Sequence, residues 1–258
     1  MRILLKLVRI VAVLCWLPIP LVISLCVNKG KGYAPIRRVS HVTRLWARGL
    51  LKIQNLHIKV IGNAGAFQGG LIVSNHQGYF DILIHGGLFP IRFAAKKEIG
   101  SWPILGSYLK NSRLILVDRS SPAKSAELMK EFQRTMENHI PLLVYPEGTS
   151  TDGRHGLKPF KSTPFAAAAS GENFTILPIL TVYKTPPEVC QMAWYGNMTL
   201  LPHVWKVLGV WRLDVEVHIL QPVHPLPGEN RKELAARVYD LMQKEYLRLV
   251  PIEEKLEE

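Results

Sequence analysis

GLIVSNHQGYFDILIHGGL, residues 70–88, runs from a short apolar stretch through a polar turn into a second apolar stretch. The first stretch, 70–75, is too short for a helix and carries β-branched residues, so it reads as a strand; 79–88 reads as a helix. The same pairing recurs outward in both directions. Strand candidates fall at 56–62, 70–75, 91–95, 113–117, 141–145, 174–183 and 212–223, and helical candidates at 79–88, 101–110, 121–138, 160–170 and 230–249. Strands alternating with helices predict a layered α/β sheet, with its functional residues in loops beyond the strand ends. The last helix is the best marked. PGEN (227–230) punctuates its start, and Leu234, Val238, Leu241, Tyr246 and Leu249 recur at helical spacing. Pro178, inside the apolar run 176–180, predicts a strand edge or a bulge. The apolar and aromatic stretch 183–209 is the least regular and reads as a lid or an insertion.

The charge is divided along the chain. The net charge is +12, yet the first 60 residues hold eleven Lys and Arg and no acidic residue, and Asp81 is the first carboxylate of all. The body is therefore nearly neutral and the excess is N-terminal. That basic segment encloses the uncharged run IVAVLCWLPIPLVISLCV (10–27), so its expected partner is anionic lipid rather than nucleic acid. A helix of about 18 residues rises about 27 Å, near the lower limit for crossing a bilayer. Pro18 and Pro20 would kink it, so a bent or one-leaflet insertion competes with a full span. The polar residues after it lack a small-x-small cleavage pattern, which favours retention over removal as a signal peptide. Residues 35–54 place Val39, Val42, Leu45, Trp46, Leu50 and Ile53 at helical spacing among Arg and Lys. They fit a helix lying in the membrane interface or one docked on the domain. The expected division is 1–55, membrane-anchoring and interfacial helices, and 56–258, the catalytic domain. Cys15, Cys26 and Cys190 form neither a disulfide framework nor a metal-ligand spacing, so the body is expected to face a reducing compartment.

Phosphate-cradling glycine loops, His-Glu-x-x-His and G-x-S-x-G are all absent from the sequence. What remains is His76 and Asp81, five positions apart across the turn of the opening stretch. They read either as a general base with its orienting carboxylate or as a helix-capping aspartate near a satisfied core histidine. Spacing alone leaves both open. A second strand ends in VYPEGTSTDG (144–153), where Pro146 and Gly148 allow a loop that exposes backbone N–H groups and the Thr149 hydroxyl. Glu147 at the end of a buried strand needs a partner. The strand before Asp118 and Arg119 ends likewise, and Arg119 suits either a phosphate or an ion pair with Glu147.

Taken in order, NHQGYFD (75–81), KKEIGSWPILGSYLKNSRLILVDR (96–119), YPEGTS (145–150) with LKPFK (157–161), and ILPI (176–179) resemble the blocks of the glycerolipid acyltransferases, including the 1-acylglycerol-3-phosphate acyltransferases. The resemblance covers about 71–179. It implies a mixed α/β sheet flanked by helices, behind an N-terminal membrane-associated segment. It also implies acyl transfer from acyl-CoA or acyl carrier protein to the free hydroxyl of a lysolipid, with no cofactor and no metal. By the same resemblance His76 takes the hydroxyl proton, Asp81 orients it, and N–H groups near Gly148 or the His76 loop hold the oxyanion. Arg119, Glu147, Gly148 and Thr149 position the acceptor. The acyl chain lies toward the bilayer, with stretch 183–209 a candidate contact, and the domain sits on the cytoplasmic face of the inner membrane. One departure stands out. Family members acting on lysophosphatidate usually carry Arg after Glu-Gly-Thr; here Ser150, Thr151 and Asp152 follow. Lys96, Lys97, Arg154, Lys158 or Lys161 then supply the cation, or the headgroup is not a bare phosphomonoester. Lysophosphatidate is the first expectation, and lyso-ornithine lipid, whose enzymes this loop and residues 193–205 resemble, is the alternative. A lipid hydrolase or transacylase, or a non-catalytic membrane adaptor, are the readings from other classes.

Overall fold

The computed structural model describes residues 2–65, 67–96, 111–117, 121–170 and 174–251. Three N-terminal helices, α1 (Arg2–Trp16), α2 (Pro18–Val27) and α3 (Tyr33–Gln54), precede the sheet. Its strands are β1 (Leu56–Ile61), β2 (Leu71–Ser74), β3 (Arg92–Lys96), β4 (Ile115–Val117), β5 (Leu142–Val144), β6 (Ile176–Tyr183) and β7 (Leu213–Ile219). Between and after them run α4 (Tyr79–Leu88), α5 (Pro122–Glu137), the single turn α6 (Ala166–Ala169), α7 (Leu200–Val207) and α8 (Arg231–Leu249). Each strand candidate becomes a strand. The candidate helix 160–170 shortens to a 3-10 turn, Thr163–Phe165, leading into α6. The candidate helix 101–110 lies outside the described residues.

The seven strands lie in the order β1-β7-β6-β2-β5-β3-β4, parallel throughout except where β6 meets β7. β2 and β5 are buried along their whole length, which is why their sequences are continuous apolar runs rather than alternating ones. On one face Leu71, Val73 and Leu142 pack with Phe132 of α5 and with Leu234, Val238 and Met242 of α8. On the other, Ile72, Leu143 and Leu177 pack with Phe80 and Ile84 of α4 and with Leu51 of α3. α8 begins on a capping box: Asn230 accepts from the N–H of Lys232 and Glu233, and Glu233 returns a bond to Asn230. Pro178 is not at a sheet edge, since β6 is flanked by β2 and β7. Between the Ile179–Ile219 pair and the Ile176–Val223 bridge the β7 side carries one extra residue, so the missing N–H falls at a bulge.

The apolar N-terminal run breaks at Leu17, with Pro18 at the first position of α2, where its missing N–H costs nothing. Arg9 bonds the carbonyl of Ile53, Trp16 Nε1 bonds the carbonyl of Trp46, and Arg38 bonds that of Val27. These contacts lay α1 and α2 antiparallel along α3. Ile3, Leu4, Leu7, Val8, Val11 and Leu14 remain exposed as a stripe on the opposite side. α3 itself is docked on the domain. Val39, Val42, Ala47 and Leu51 are buried, and Ala47 and Leu51 reach Gly86 and Gly87 of α4, where no side chain stands in the way.

Candidate active site

β2 and β5 are parallel neighbours, so the loops that follow them meet at one edge of the sheet. After Ser74 the chain turns. Asn75 pins the turn to β6 by accepting from Thr181 N at 2.8 Å and donating to Thr181 O at 2.9 Å. His76 then presents Nδ1 to Asp81 Oδ2 at 2.9 Å. The same oxygen accepts the N–H of Gln77 at 2.5 Å and of Gly78 at 2.9 Å, and Oδ1 accepts the Tyr183 hydroxyl at 2.6 Å. An ionised carboxylate only accepts, so Nδ1 carries the ring proton and Nε2 is the basic nitrogen. Asp81 thus satisfies amides at the start of α4 and also holds the imidazole, the geometry that a base with an orienting carboxylate requires. Burial alone would raise the Asp81 carboxyl, but the hydrogen bond and charge of His76, aided by His85 and Tyr183, outweigh it and hold the carboxyl below its usual range.

The His76 ring is stacked on Tyr145, with centroids 4.2 Å apart and planes 16° from parallel. Behind it, the Tyr145 hydroxyl meets His85 Nδ1 at 3.0 Å, and His85 Nε2 meets Thr181 Oγ1 at 2.9 Å. His85 is fully buried, and burial pushes its pKa down to about 4, so it is neutral near pH 7. Burial, together with the charge of Asp81, pushes the hydroxyls of Tyr145 and Tyr183 well up, so both stay protonated.

Glu147 ties the second loop to the first. Its Oε1 accepts the His76 N–H at 2.9 Å and its Oε2 the Lys158 N–H at 2.9 Å. Thr151 N donates to His76 O at 2.9 Å, closing the loop over the base. Burial raises the Glu147 carboxyl, and the two backbone bonds offset only part of that rise. Gly148 holds φ at +74°, a backbone conformation that side chains rarely adopt, and the flexible end of Lys161 lies against it. Thr149, Lys158 and Lys161 are exposed at the rim, and Asp152 pairs with His155 Nδ1 at 3.0 Å. From α8, Tyr246 donates to Gly153 O at 2.6 Å and accepts from Gln77, joining the two loops from below.

The structure thus brings together His76, Asp81, Glu147, Gly148, Thr149, Lys158 and Lys161. Arg119 and Lys97 lie outside the described residues; Lys96 ends β3, and its side chain lies outside them too. Among the N–H groups near Gly148 and in the His76 loop, several are already engaged. The N–H groups of His76, Gln77, Gly78 and Gly148 are all engaged, by Glu147, Asp81, Asp81 and the Tyr145 carbonyl respectively. Tyr145, Tyr183, His85 and Tyr246 escape the sequence reading. The one signal for the first two is that both strands, 141–145 and 174–183, end in Val-Tyr. Among the described residues, no three His, Cys, Asp or Glu side chains gather as metal ligands.

Residues 57–182 match a family model described as Acyltransferase. A lyso-ornithine lipid O-acyltransferase from Brucella abortus is 28% identical over 178 residues, covering 64% of this chain and 66% of that protein. The chain thus spans about two thirds of that relative. A 1-acyl-sn-glycerol-3-phosphate acyltransferase from Neisseria meningitidis is 24% identical over 192 residues, 74% of this chain and 75% of that one. The crystal structure of the 1-acyl-sn-glycerophosphate acyltransferase PlsC from Thermotoga maritima superposes with a TM-score of 0.68 at 19% identity, covering 99% of this chain and 100% of that one. That likeness carries the mixed α/β fold.

Proposed function

This chain belongs to the acyltransferase family, and on that premise we propose that it moves a fatty acyl group from a thioester, on CoA or acyl carrier protein, to the free hydroxyl of a lysolipid. The His76–Asp81 pair carries this reading, because it leaves Nε2, without a hydrogen-bond partner among the described residues, as the basic nitrogen of a ring stacked on Tyr145. His76 Nε2 takes the hydroxyl proton, the oxygen attacks the thioester carbonyl, and the tetrahedral intermediate collapses with loss of thiolate, which His76 protonates. Asp81 stabilises the imidazolium formed between those steps. Thr149 and Ser150 carry loop N–H groups that bond to nothing among the described residues, and these are the donors left for the oxyanion. The α1–α2 segment lies in the headgroup region of one leaflet with its apolar stripe toward the acyl chains.

The acceptor reading now favours lyso-ornithine lipid over lysophosphatidate. Ser150 stands where a phosphate-gripping arginine is expected, and Asp152 adds a carboxylate to the same loop. An amino-acid headgroup brings an ammonium that can join His155 and the Arg154 N–H at that carboxylate; a phosphomonoester brings only negative charge. Lys161, exposed beside Gly148, and the exposed Lys158 favour lysophosphatidate as the second reading. The test is an acceptor panel with one thioester donor, comparing both lysolipids with and without His76→Ala. Lyso-ornithine lipid is expected to give the higher kcat/KM. Acylation of neither lipid, or full activity in a folded His76→Ala variant, would sink the proposal.

A further inference from the structure

Residues 200–211 have no part in the proposed proton transfer, yet among the described residues they present the two most exposed large apolar side chains of the body, Leu201 and Trp211. Leu201 is 80% exposed, Trp211 73% and Trp205 46%. A loose loop would collapse such groups inward; here the backbone is held. Arg9 of α1 is buried and spends its guanidinium on the carbonyls of Leu208, Val210 and Trp211 as well as Ile53. Asn55 also donates to the Trp211 carbonyl, and Gln54 to that of Val207. The end of α7 is thus a fixed ledge fastened to the anchor helix, with every carbonyl named here satisfied.

The ledge adjoins α1, which carries the exposed stripe, through Arg9 and Lys6. Lys6 Nζ stands 4.3 Å from the centre of the Trp205 ring. Lysine stems lie along apolar surface with the ammonium reaching phosphate, and tryptophan concentrates at the same depth. The ledge is also one hydrogen bond from the catalytic turn. His203 Nε2 donates to Gln191 O, so Nδ1 accepts the Tyr79 hydroxyl at 2.9 Å, and Tyr79 opens α4 three residues after His76.

We infer that Leu200–Trp211 is a second lipid-binding element, seated in the same leaflet as α1, with Leu201 among the acyl chains and Trp205 and Trp211 at headgroup depth beside the mouth of the active site. The occupant is a bilayer surface. Attachment to α1, which carries the exposed stripe, and the flanking cations Lys6 and Lys206 favour it over a protein partner. The inference rests on the reading that α1 and α2 lie in the membrane.

The full-length protein is bound to vesicles of phosphatidylethanolamine and phosphatidylglycerol doped with phospholipid brominated near the headgroup. Fluorescence quenching is compared among the wild type, Trp205→Phe and Trp211→Phe, with an environment-sensitive probe on the exposed Cys15 reporting the anchor. The emission lost in each Phe variant is expected to be quenched by shallow bromines. The double variant Leu201→Ser, Trp211→Ser is expected to lose at least about tenfold in turnover of a bilayer-embedded lysolipid, while keeping turnover of a short-chain lysolipid dissolved as monomer. A lipid-immersed Cys15 probe with unquenched Trp205 and Trp211 would overturn the ledge and spare the anchor. A probe in water would overturn both. A change of oligomeric state in the double variant, with both tryptophans unquenched, would make this a protein interface instead.

Discussion

Tyr183 donates its hydroxyl to Asp81 Oδ1 at 2.6 Å, from the end of β6 to the first turn of α4. The carboxylate is thereby held on the oxygen that His76 does not use. Its rotation is blocked at both ends, and the imidazole inherits that fixed direction.

Removing this bond tests how much orientation matters. Tyr183→Phe keeps the ring and its packing and deletes one charge-assisted bond, worth on the order of 2 kcal/mol. The expected outcome is a roughly tenfold fall in kcat with KM nearly unchanged, measured under saturating thioester. A larger change in KM than in kcat would mean that Tyr183 contacts substrate instead.

Asp81→Asn is expected to be more severe. The amide cannot stabilise an imidazolium, and turning its NH2 toward Nδ1 would leave the wrong ring nitrogen protonated. A loss of about 10²- to 10⁴-fold in kcat follows. Circular dichroism should show the fold retained. Wild-type turnover in this variant would remove the dyad from the mechanism.

For Glu147 the two bonds to backbone N–H predict a defect visible without substrate. Glu147→Ala leaves the amides of His76 and Lys158 without their acceptor, at a cost of about 1–3 kcal/mol each. Chemical denaturation of the ligand-free enzyme should register it. If stability is unchanged and only acceptor KM rises, Glu147 serves the headgroup alone.

His85 gives a pH dependence of definite sign. Its folded pKa of about 4 lies below its ordinary value of 6.5, so between those limits the unfolded chain binds the extra proton. Stability is therefore fully present above about pH 6.5 and declines as pH falls toward 4, by about 3 kcal/mol in all. Denaturation midpoints across that range should flatten in His85→Gln. An equally steep profile in the variant would assign the slope to other groups.

Much of this was legible in the sequence, for physical reasons that differ by element. Buried parallel strands leave uninterrupted apolar runs, so β2, β5 and β6 announced themselves. His76 and Asp81 lie on one turn, and a local spacing survives in one dimension. The partners from afar did not. Tyr183 is 102 residues from Asp81 and Tyr246 is 169 from Gln77, and only the sheet order and the docking of α8 bring them to the site. The docking of α3 was equally hidden, because an amphipathic helix looks the same whether its apolar face meets lipid or Ile84 and the glycines of α4. The engaged N–H groups of the His76 loop could be seen only once their acceptors were in place.

Glu147 also has a meaning for engineering. One side chain grips the His76 turn with one oxygen and Lys158, just past the 148–157 loop, with the other. A graft of residues 148–157 from an enzyme of different acceptor preference would arrive with its own reach between those two amides. If that reach is wrong, the graft pulls on His76, and a swap meant to change selectivity would be read as a dead enzyme. On the proposed function, acceptor choice in this scaffold is best altered at Thr149, Ser150 and Asp152, inside the span that Glu147 brackets, with the length of the loop preserved.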